Sequence, residues 1–594
     1  MKATRILYIS AVMAGTVGLA SCSLDEYNPG GFTMENIATN SVESYRSIIN
    51  QCYFGAQRVL YGCDGFMELT EGDTDLWTNE ANISSSNTQY FWYFAGAAPN
   101  LTYTGTIWNA IYDGIGSCNL AISLADRVPF TSEEERNKAV AEARFMRAVY
   151  YFNAVEQFGG VTMITTPAED MDFAPTRTEP MTIYREIIIP DLEFAAQWLD
   201  KGTDATTSVP TKKSALGFLA KACLQTYEYG TTEYLQQALE TARTLITDCE
   251  NGGSQYGAYM YPTFEEVFSD ANNWENKEAL WKHRWNKDGS SNGNYRTNRN
   301  VEKFLCQLSN FGARVDNQET RITWEGCIEG TFMPSQHLLS LFVQDDGTLD
   351  PRFHKSFSTQ WNANNEFVWD ESTRENYNKD AGVIGKRLRV GDLAIKITMP
   401  QDADYAQLVA QKATLPYLLV DYADVYDDRN RNVKMQLNGN INNYRYFYPS
   451  LNKHNSGQWT VINESNGRNC NLNGTLIMRM SEVYLIAAEA DLYLNGGANA
   501  SAYINKVRTR AGAKPMTGTP TLRDILDERG RELCGEYCRF YDLKRTGMLK
   551  DASYLNETHP DLGQYFKPEY ALRPIPSQFT DVISNGAEYQ NPGY

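Results

Sequence analysis

Asp73, Asp75, Trp77 and Asn79 crowd two carboxylates, an indole and an amide into seven residues, and Trp281 and Trp285 stand four apart ahead of Asn294, Tyr295 and Arg296. An indole beside acids and amides can hold a sugar. The flat C–H faces of the ring need an aromatic plane, and its edge hydroxyls need a few placed polar groups. Residues four apart in a strand share a face, so Trp281 and Trp285 are expected on one side of the short strand read over Glu278 to Trp285. Trp324 and Trp361 are further choices.

Catalytic patterns are thin by comparison. Gly289-Ser290-Ser291-Asn292-Gly293 fits G-x-S-x-G, yet a nucleophile elbow needs a strand before it and a helix after it, and the stretch from Asn286 to Asn294 reads as a polar loop. The five histidines, His283, His337, His354, His454 and His559, are far apart and form no H-E-x-x-H. Asp345-Asp346 and Asp427-Asp428 are adjacent in turn-rich sequence, which suits solvated loops better than two acids facing each other across a sugar. No P-loop or dinucleotide fingerprint occurs. The chain is therefore read as a binding protein without catalytic residues, metal or cofactor; calcium near the acidic loops would lack an EF-hand spacing to support it.

The elements that must position these residues are mainly helical. An apolar pattern at helical spacing runs over 41–60. A second helix is expected over 105–127, with Trp108 assigned to packing, and a third over 133–158, from Glu133-Glu134-Glu135 to the stop at Gly159-Gly160. Arg144 and Arg147, three apart on that helix, are read as ion-pair residues, with Glu482, Glu489, Glu528 and Glu532 available as partners. Further helices are expected over 181–200, 211–229 and 232–249, then 476–494, 498–510 and 521–537. Successive hairpins of this length predict a tetratricopeptide-like superhelix, although the 34-residue period is loose. Residues 61–104 and about 250–470 are rich in Asn, Gly, Asp and aromatics, with only short strand-like pieces such as Leu388 to Ile397. They read as a loop-rich ligand region with minor β structure.

The N-terminus adds an address. Lys2 and Arg5 precede an apolar run from Ile6 to Ala20, and Leu19-Ala20-Ser21-Cys22 closes it as a lipoprotein cleavage site. The leader, residues 1–21, would be removed and Cys22 would take the lipid. An apolar run of about 15 falls short of the ~20 residues a spanning helix needs. Residues 22–40 read as a flexible tether, and 41–594 as one domain with its scaffold over 105–250 and 476–545. With 54 Lys and Arg against 73 Asp and Glu, the formal charge of −19 argues against a nucleic-acid partner. The ten cysteines after Cys22 show no zinc spacing and are read as small buried residues; Cys534 and Cys538, four apart on an expected helix, are poorly placed for a disulfide.

Several motifs in order resemble one family. Trp108-x-x-x-Tyr112-x-x-Ile115 and Arg144-Phe145-Met146-Arg147-Ala148-Val149-Tyr150-Tyr151-Phe152 up to Phe158-Gly159-Gly160-Val161 come first. Asp350-Pro351-Arg352, Arg479-Met480-Ser481-Glu482-Val483-Tyr484-Leu485 with Ala488-Glu489-Ala490, and Asn505 to Gly512 follow. Glu528-Arg529-Gly530-Arg531-Glu532-Leu533 with Arg539 to Arg545, and the closing Gln590-Asn591-Pro592-Gly593-Tyr594, complete the set. Together they resemble the SusD/RagB-like nutrient-binding outer-membrane lipoproteins of Bacteroidetes. That resemblance implies a helical scaffold under a loop-rich ligand face, ligand contacts near Asp73 to Asn79, and a TonB-dependent, SusC-like transporter as partner. It implies a cell-surface protein held in the outer membrane by lipid on Cys22 that captures oligosaccharides. Asp25-Glu26 resembles the acidic surface-export signal of such lipoproteins. The alternatives are a peptide or glycopeptide receptor of the same family, a surface glycoside hydrolase, and a structural adaptor for the transporter.

Overall fold

The computed structural model describes residues 39–62, 64–79, 102–167, 172–202, 208–284, 302–315, 325, 330, 332–427, 432–434, 436–437, 439–455, 459–463, 468–471 and 474–594. Helix α1 (Val42–Gly55) starts where the Ser41 hydroxyl accepts from the Ser44 N–H at 3.0 Å, capping an amide that has no partner within the helix. A short α2 (Asp64–Thr70) and strand β1 (Trp77–Asn79) follow inside what the sequence presents as loop.

Helices α3 (Thr102–Leu124) and α4 (Glu133–Phe158) make the first long hairpin. Ser132 caps α4 by accepting from Glu135 N at 3.1 Å, three glutamates occupy its first turn, and Gly159 ends it at φ +75°. Its second half is buried on almost every side, as Val149-Tyr150-Tyr151-Phe152 requires. Trp108 packs on Phe158 with ring centroids 5.0 Å apart.

A helical run from Pro180 ends in α5 (Ile189–Trp198) after a π turn over Tyr184–Ile188. Pro190 has no N–H, and its ring would crowd the carbonyl four residues back. A widened turn just before it relieves both. Helices α6 (Lys212–Gln225) and α7 (Leu235–Glu250) continue the stack.

Strand β2 (Ala279–His283) opens the long excursion through β3 (Phe332–Pro334), α8 (Gln336–Leu341), β4 (Gln360–Asn362), β5 (Leu393–Thr398) and β6 (Leu418–Asp421). β5 lies antiparallel to β4 and parallel to β6. β7 (Thr475–Arg479) then pairs antiparallel with β2, and α9 (Met480–Asn495), α10 (Ala500–Arg510), α11 (Leu522–Leu533) and α12 (Arg539–Arg545) finish the scaffold.

Each scaffold helix packs on its neighbour in the order α1, α3, α4, α5, α6, α7, and α9 then packs on α7. The chain therefore returns to the same stack after more than 200 residues, and the tetratricopeptide-like arrangement continues through α10. Among the described residues no helix is long and apolar enough to cross a membrane.

Three departures from the sequence reading have a clear physical cause. Thr475–Arg479 is a strand, not the first turn of a helix, because a short apolar run satisfies either period and here it finds β2 as a partner. Helix α11 stops at Leu533, since Gly535 at φ +76° and Tyr537 at φ +63° reverse the chain. The 388–397 piece divides at Gly391, which lies at φ +96°.

Candidate functional site

The turn between α2 and β1 points its acids inward. Asp75 is fully buried and accepts from Arg539 Nε at 2.7 Å, Arg539 Nη2 at 2.6 Å and the Tyr554 hydroxyl at 2.6 Å. Burial alone would raise its pKa, but the Arg539 guanidinium and the hydrogen bonds hold the carboxyl well below the usual range. Glu71 accepts from Trp77 Nε1 at 2.9 Å, Gly535 N at 3.1 Å and Cys538 N at 3.1 Å. Burial pushes Glu71 up to about 7 against those donors. Asp73, at φ +55°, sits 3.4 Å from Arg573 and is pushed up to about 8 by burial, with Arg573 opposing. His559 accepts from Leu562 N on Nδ1 at 3.2 Å, so its remaining proton is on Nε2, 3.2 Å from the Trp77 carbonyl oxygen that accepts it.

Most described residues nominated as ligand contacts are thus interior. Trp77 is 1% exposed, its ring 4.6 Å from that of Phe304 and 6.1 Å from that of Phe332. Trp281 is 5% exposed among Phe145, Phe218 and Tyr61, with Nε1 donating to the Ser208 carbonyl at 3.1 Å. Trp361 is buried in β4. As ligand contacts, Asp73, Asp75, Trp77, Trp281 and Trp361 are corrected: all five are buried in the interior. The physical reason lies in Arg539 and Arg573, which arrive from some 500 residues away in the chain. Asn79 lies in β1 opposite Phe332. Trp285, Tyr295, Arg296, Trp324, Cys22 and the G-x-S-x-G stretch lie outside the described residues.

What the buried tryptophans do is hold the frame. β1 pairs with β3, with Asn79 opposite Phe332. β2 pairs with β7, with His283 opposite Thr475. Trp77 touches Phe304 and Phe332. Trp77 and Trp281 thus pack behind two strand pairs, β1 with β3 and β2 with β7.

The motif arginines are also structural. Arg352 is buried and bonds Asp350, Glu528 and Glu532 at 2.8, 2.7 and 2.9 Å. Arg479 bonds Glu278, Glu532 and Glu536 at 3.1, 2.6 and 2.7 Å, and Lys453 bonds Glu536 at 2.6 Å. Burial works against Glu532, yet Arg510, Arg479 and Arg352 hold it well below the usual carboxylate range. Arg147 pairs with Asp191 at 2.7 Å, and Arg144 reaches the same acid at 3.3 Å. The partner is thus Asp191 of α5. Glu482, Glu489, Glu528 and Glu532, offered by the sequence, bond other cations.

One open cleft of about 730 Å³ lies beside α11, between the 343–350 turn and the 514–520 loop. Arg508, Lys514, Arg523 and Arg531 line it together with six carboxylates, and no Phe, Tyr or Trp is among its walls. The sequence reading missed it, because its residues are ordinary helix-surface charges until α10 and α11 bring them together. Among the described residues no group of three or more His, Cys, Asp or Glu is placed to hold a metal ion. Seven cysteines among the described residues are free, six of them buried.

Comparison with known proteins places this geometry. Residues 33–224 match the model of a family described as starch-binding, associating with outer membrane. SusD-like protein P2 of Formosa agariphila is 26% identical over 513 residues, 82% of this chain and 80% of that one. The starch-binding protein SusD of Bacteroides thetaiotaomicron is 34% identical over 120 residues, 20% of this chain and 21% of that one. Surface glycan-binding protein A from Bacteroides fluxus has the same fold, with a TM-score of 0.60 at 18% identity, covering 93% of this chain and 100% of that one. Residues 277–594, from β2 through the whole loop-rich excursion to the C-terminus, match the model of the SusD family, and the chain belongs to that family.

Proposed function

We propose that the protein is a glycan-binding lipoprotein of the outer membrane that captures oligosaccharides at the cell surface and passes them to a TonB-dependent, SusC-like transporter. The observation that carries the reading is the pair of family matches, which take in both halves of the helical scaffold, one of them to a starch-binding family associated with the outer membrane. Relatives whose names state a ligand are starch-binding, laminarin-binding and surface glycan-binding proteins. Cys22 behind its apolar leader supplies the anchor, and with two or three acyl chains the attachment is stable. The aromatic-rich stretches 80–101 and 285–301 supply the stacking residues, with Trp285, Tyr295 and Arg296 as the contacts.

Affinity electrophoresis against a broad set of polysaccharides, followed by calorimetry on the one that retards the protein, tests the ligand class. Unretarded migration across the whole set would defeat it. Co-purification of a large β-barrel protein from gently solubilised outer membranes tests the partner, and its absence from membranes that retain the lipoprotein would count against delivery. Surface protease treatment of intact cells tests the location; a protein that survives untouched is not on the outside.

A further inference from the structure

The cleft beside α11 carries chemistry that the tryptophan-bearing stretches do not. Its floor holds two guanidiniums on one acid: Arg508 Nη1 and Arg531 Nε donate to the same Glu528 oxygen at 2.9 and 3.0 Å. Arg508 Nε donates to the Lys514 carbonyl at 2.6 Å, and Arg531 Nη1 to the Leu341 carbonyl at 2.9 Å. The Nη2 group of each arginine makes no hydrogen bond among the described residues and is not among the buried polar atoms lacking one. Both side chains are close to nine-tenths covered, at 13% and 12% exposure, so their geometry is fixed before any ligand arrives.

Glu528 is further committed to Arg352 at 2.7 Å, so three arginines share it. The floor therefore carries unspent positive charge and two spare N–H forks, which suits a carboxylate.

The rim has the opposite sign. Asp524 is tied to Thr521 through one carboxylate oxygen, and Asp527 shares Arg523 with Glu557. Asp345 stands exposed on the facing turn. Lys514 bridges from the 514–520 loop to Asp346, and its N–H donates to Gln344 Oε1 at 3.1 Å, so the two walls are held across the opening. A purely anionic ligand would meet six carboxylates, and a plain sugar would find no ring on which to stack. A volume of about 730 Å³ holds a molecule of two or three residues.

We propose that this cleft is a second ligand site, separate from any glycan-binding surface, that takes a short zwitterionic peptide with its carboxylate on Arg508 and Arg531 and its ammonium against Asp524 and Asp527. The inference does not rest on the glycan reading.

Calorimetry of the whole protein with Gly-Gly-Lys tests it, against the same peptide blocked at both ends and against glucuronate. Saturable binding of the free peptide is expected, at least tenfold weaker once both ends are blocked. Glucuronate, which offers the carboxylate without the ammonium, is expected to bind at least tenfold more weakly than the free peptide. Arg508→Gln is expected to weaken the peptide at least tenfold; the fold tolerates the change because Glu528 keeps Arg352 and Arg531. Asp524→Asn is expected to weaken the peptide at least threefold and to leave glucuronate unchanged. If Arg508→Gln fails to fold, the Asp524→Asn contrast decides alone. No saturable peptide binding, equal binding of the blocked peptide, or indifference to both substitutions would overturn the proposal, whatever the glycan result.

Discussion

Replacing Asp75 by Asn separates a structural acid from a ligand-binding one. The wild-type carboxylate has two oxygens serving three donors, Arg539 Nε, Arg539 Nη2 and the Tyr554 hydroxyl. Asn keeps one oxygen, so whichever way the amide is turned, at least one N–H of Arg539 faces an NH2 group. Arg539 is only 2% exposed and cannot move to water, so it is left charged and under-bonded. Breaking a buried pair in this way costs about 3–5 kcal/mol.

The assay is urea unfolding of wild type and Asp75→Asn at neutral pH, with glycan affinity measured on the folded fraction. The expected outcome is a large fall in stability and an unchanged dissociation constant. Asp75→Leu combined with Arg539→Met should recover part of the loss, because an apolar pair of similar volume removes the stranded charge. The sign with pH follows from the lowered pKa: the contribution is full above the unfolded value of about 3.9 and disappears as pH falls through the folded value. A cost below about 1 kcal/mol, typical of an exposed pair, together with weakened glycan binding would refute the assignment of Asp75 to the frame.

Trp77→Ala should cost about 3–5 kcal/mol in the same assay, and Trp77→Phe less, since the loss is packing against Phe304 and Phe332 plus one hydrogen bond to Glu71. Glu71 has a folded pKa near 7, above its ordinary 4.5, so the folded state holds the extra proton and stability falls as pH rises between these values. Urea midpoints at intervals from pH 4.5 to 8 should show Glu71→Gln gaining on wild type up to about pH 7 and running parallel above it. Arg147→Met should cost about 3–5 kcal/mol because it leaves the buried Asp191 with Arg144 alone, at 3.3 Å, whereas Arg144→Met, at a side chain 30% exposed, should cost about 1 kcal/mol or less. His559 is held neutral, pushed down to about 4 by burial, so stability should fall as pH drops from about 6.5 toward 4, and a His559→Gln protein should show a shallower acid limb in thermal melts.

The helical scaffold was legible because its signals are local. The glutamate-rich start of α4 and its Gly159 stop lie within a turn of what they control. The pairing of Arg147 with an acid was legible as a type of contact, while the choice of Asp191 depends on how α4 and α5 cross. The role of the Asp73 to Trp77 segment was not legible. An indole among acids has the same local composition whether it faces a ligand or the interior, and Arg539, Tyr554 and Arg573, which decide the matter, lie hundreds of residues downstream. The cleft beside α11 was hidden for the related reason that α10, α11 and the 343–350 turn meet only in three dimensions.

The buried charges under α11 explain why so long an excursion can hang from a helical stack. Glu528 and Glu532, four apart on α11, share one side, Glu536 follows just past the helix end, and each bonds a cation from another segment. Arg352 comes from the middle of the excursion, Lys453 from near its end, and Arg479 from the strand that closes it, while Arg479 also bonds Glu278 beside β2 at its beginning. Desolvating these charges is costly, and apolar residues of similar size would give equal or greater stability. An ionic clamp differs in register: a slipped apolar side chain finds another apolar neighbour, whereas a slipped guanidinium loses its acids. Four attachment points along about 200 residues therefore fix where β2, the Asp350-Pro351-Arg352 turn and β7 stand relative to α11, independently of the sequences between them. Arg352, Arg479, Glu528 and Glu532 of this clamp stand in the Asp350-Pro351-Arg352, Arg479 to Leu485 and Glu528 to Leu533 motifs, so those motifs serve the frame.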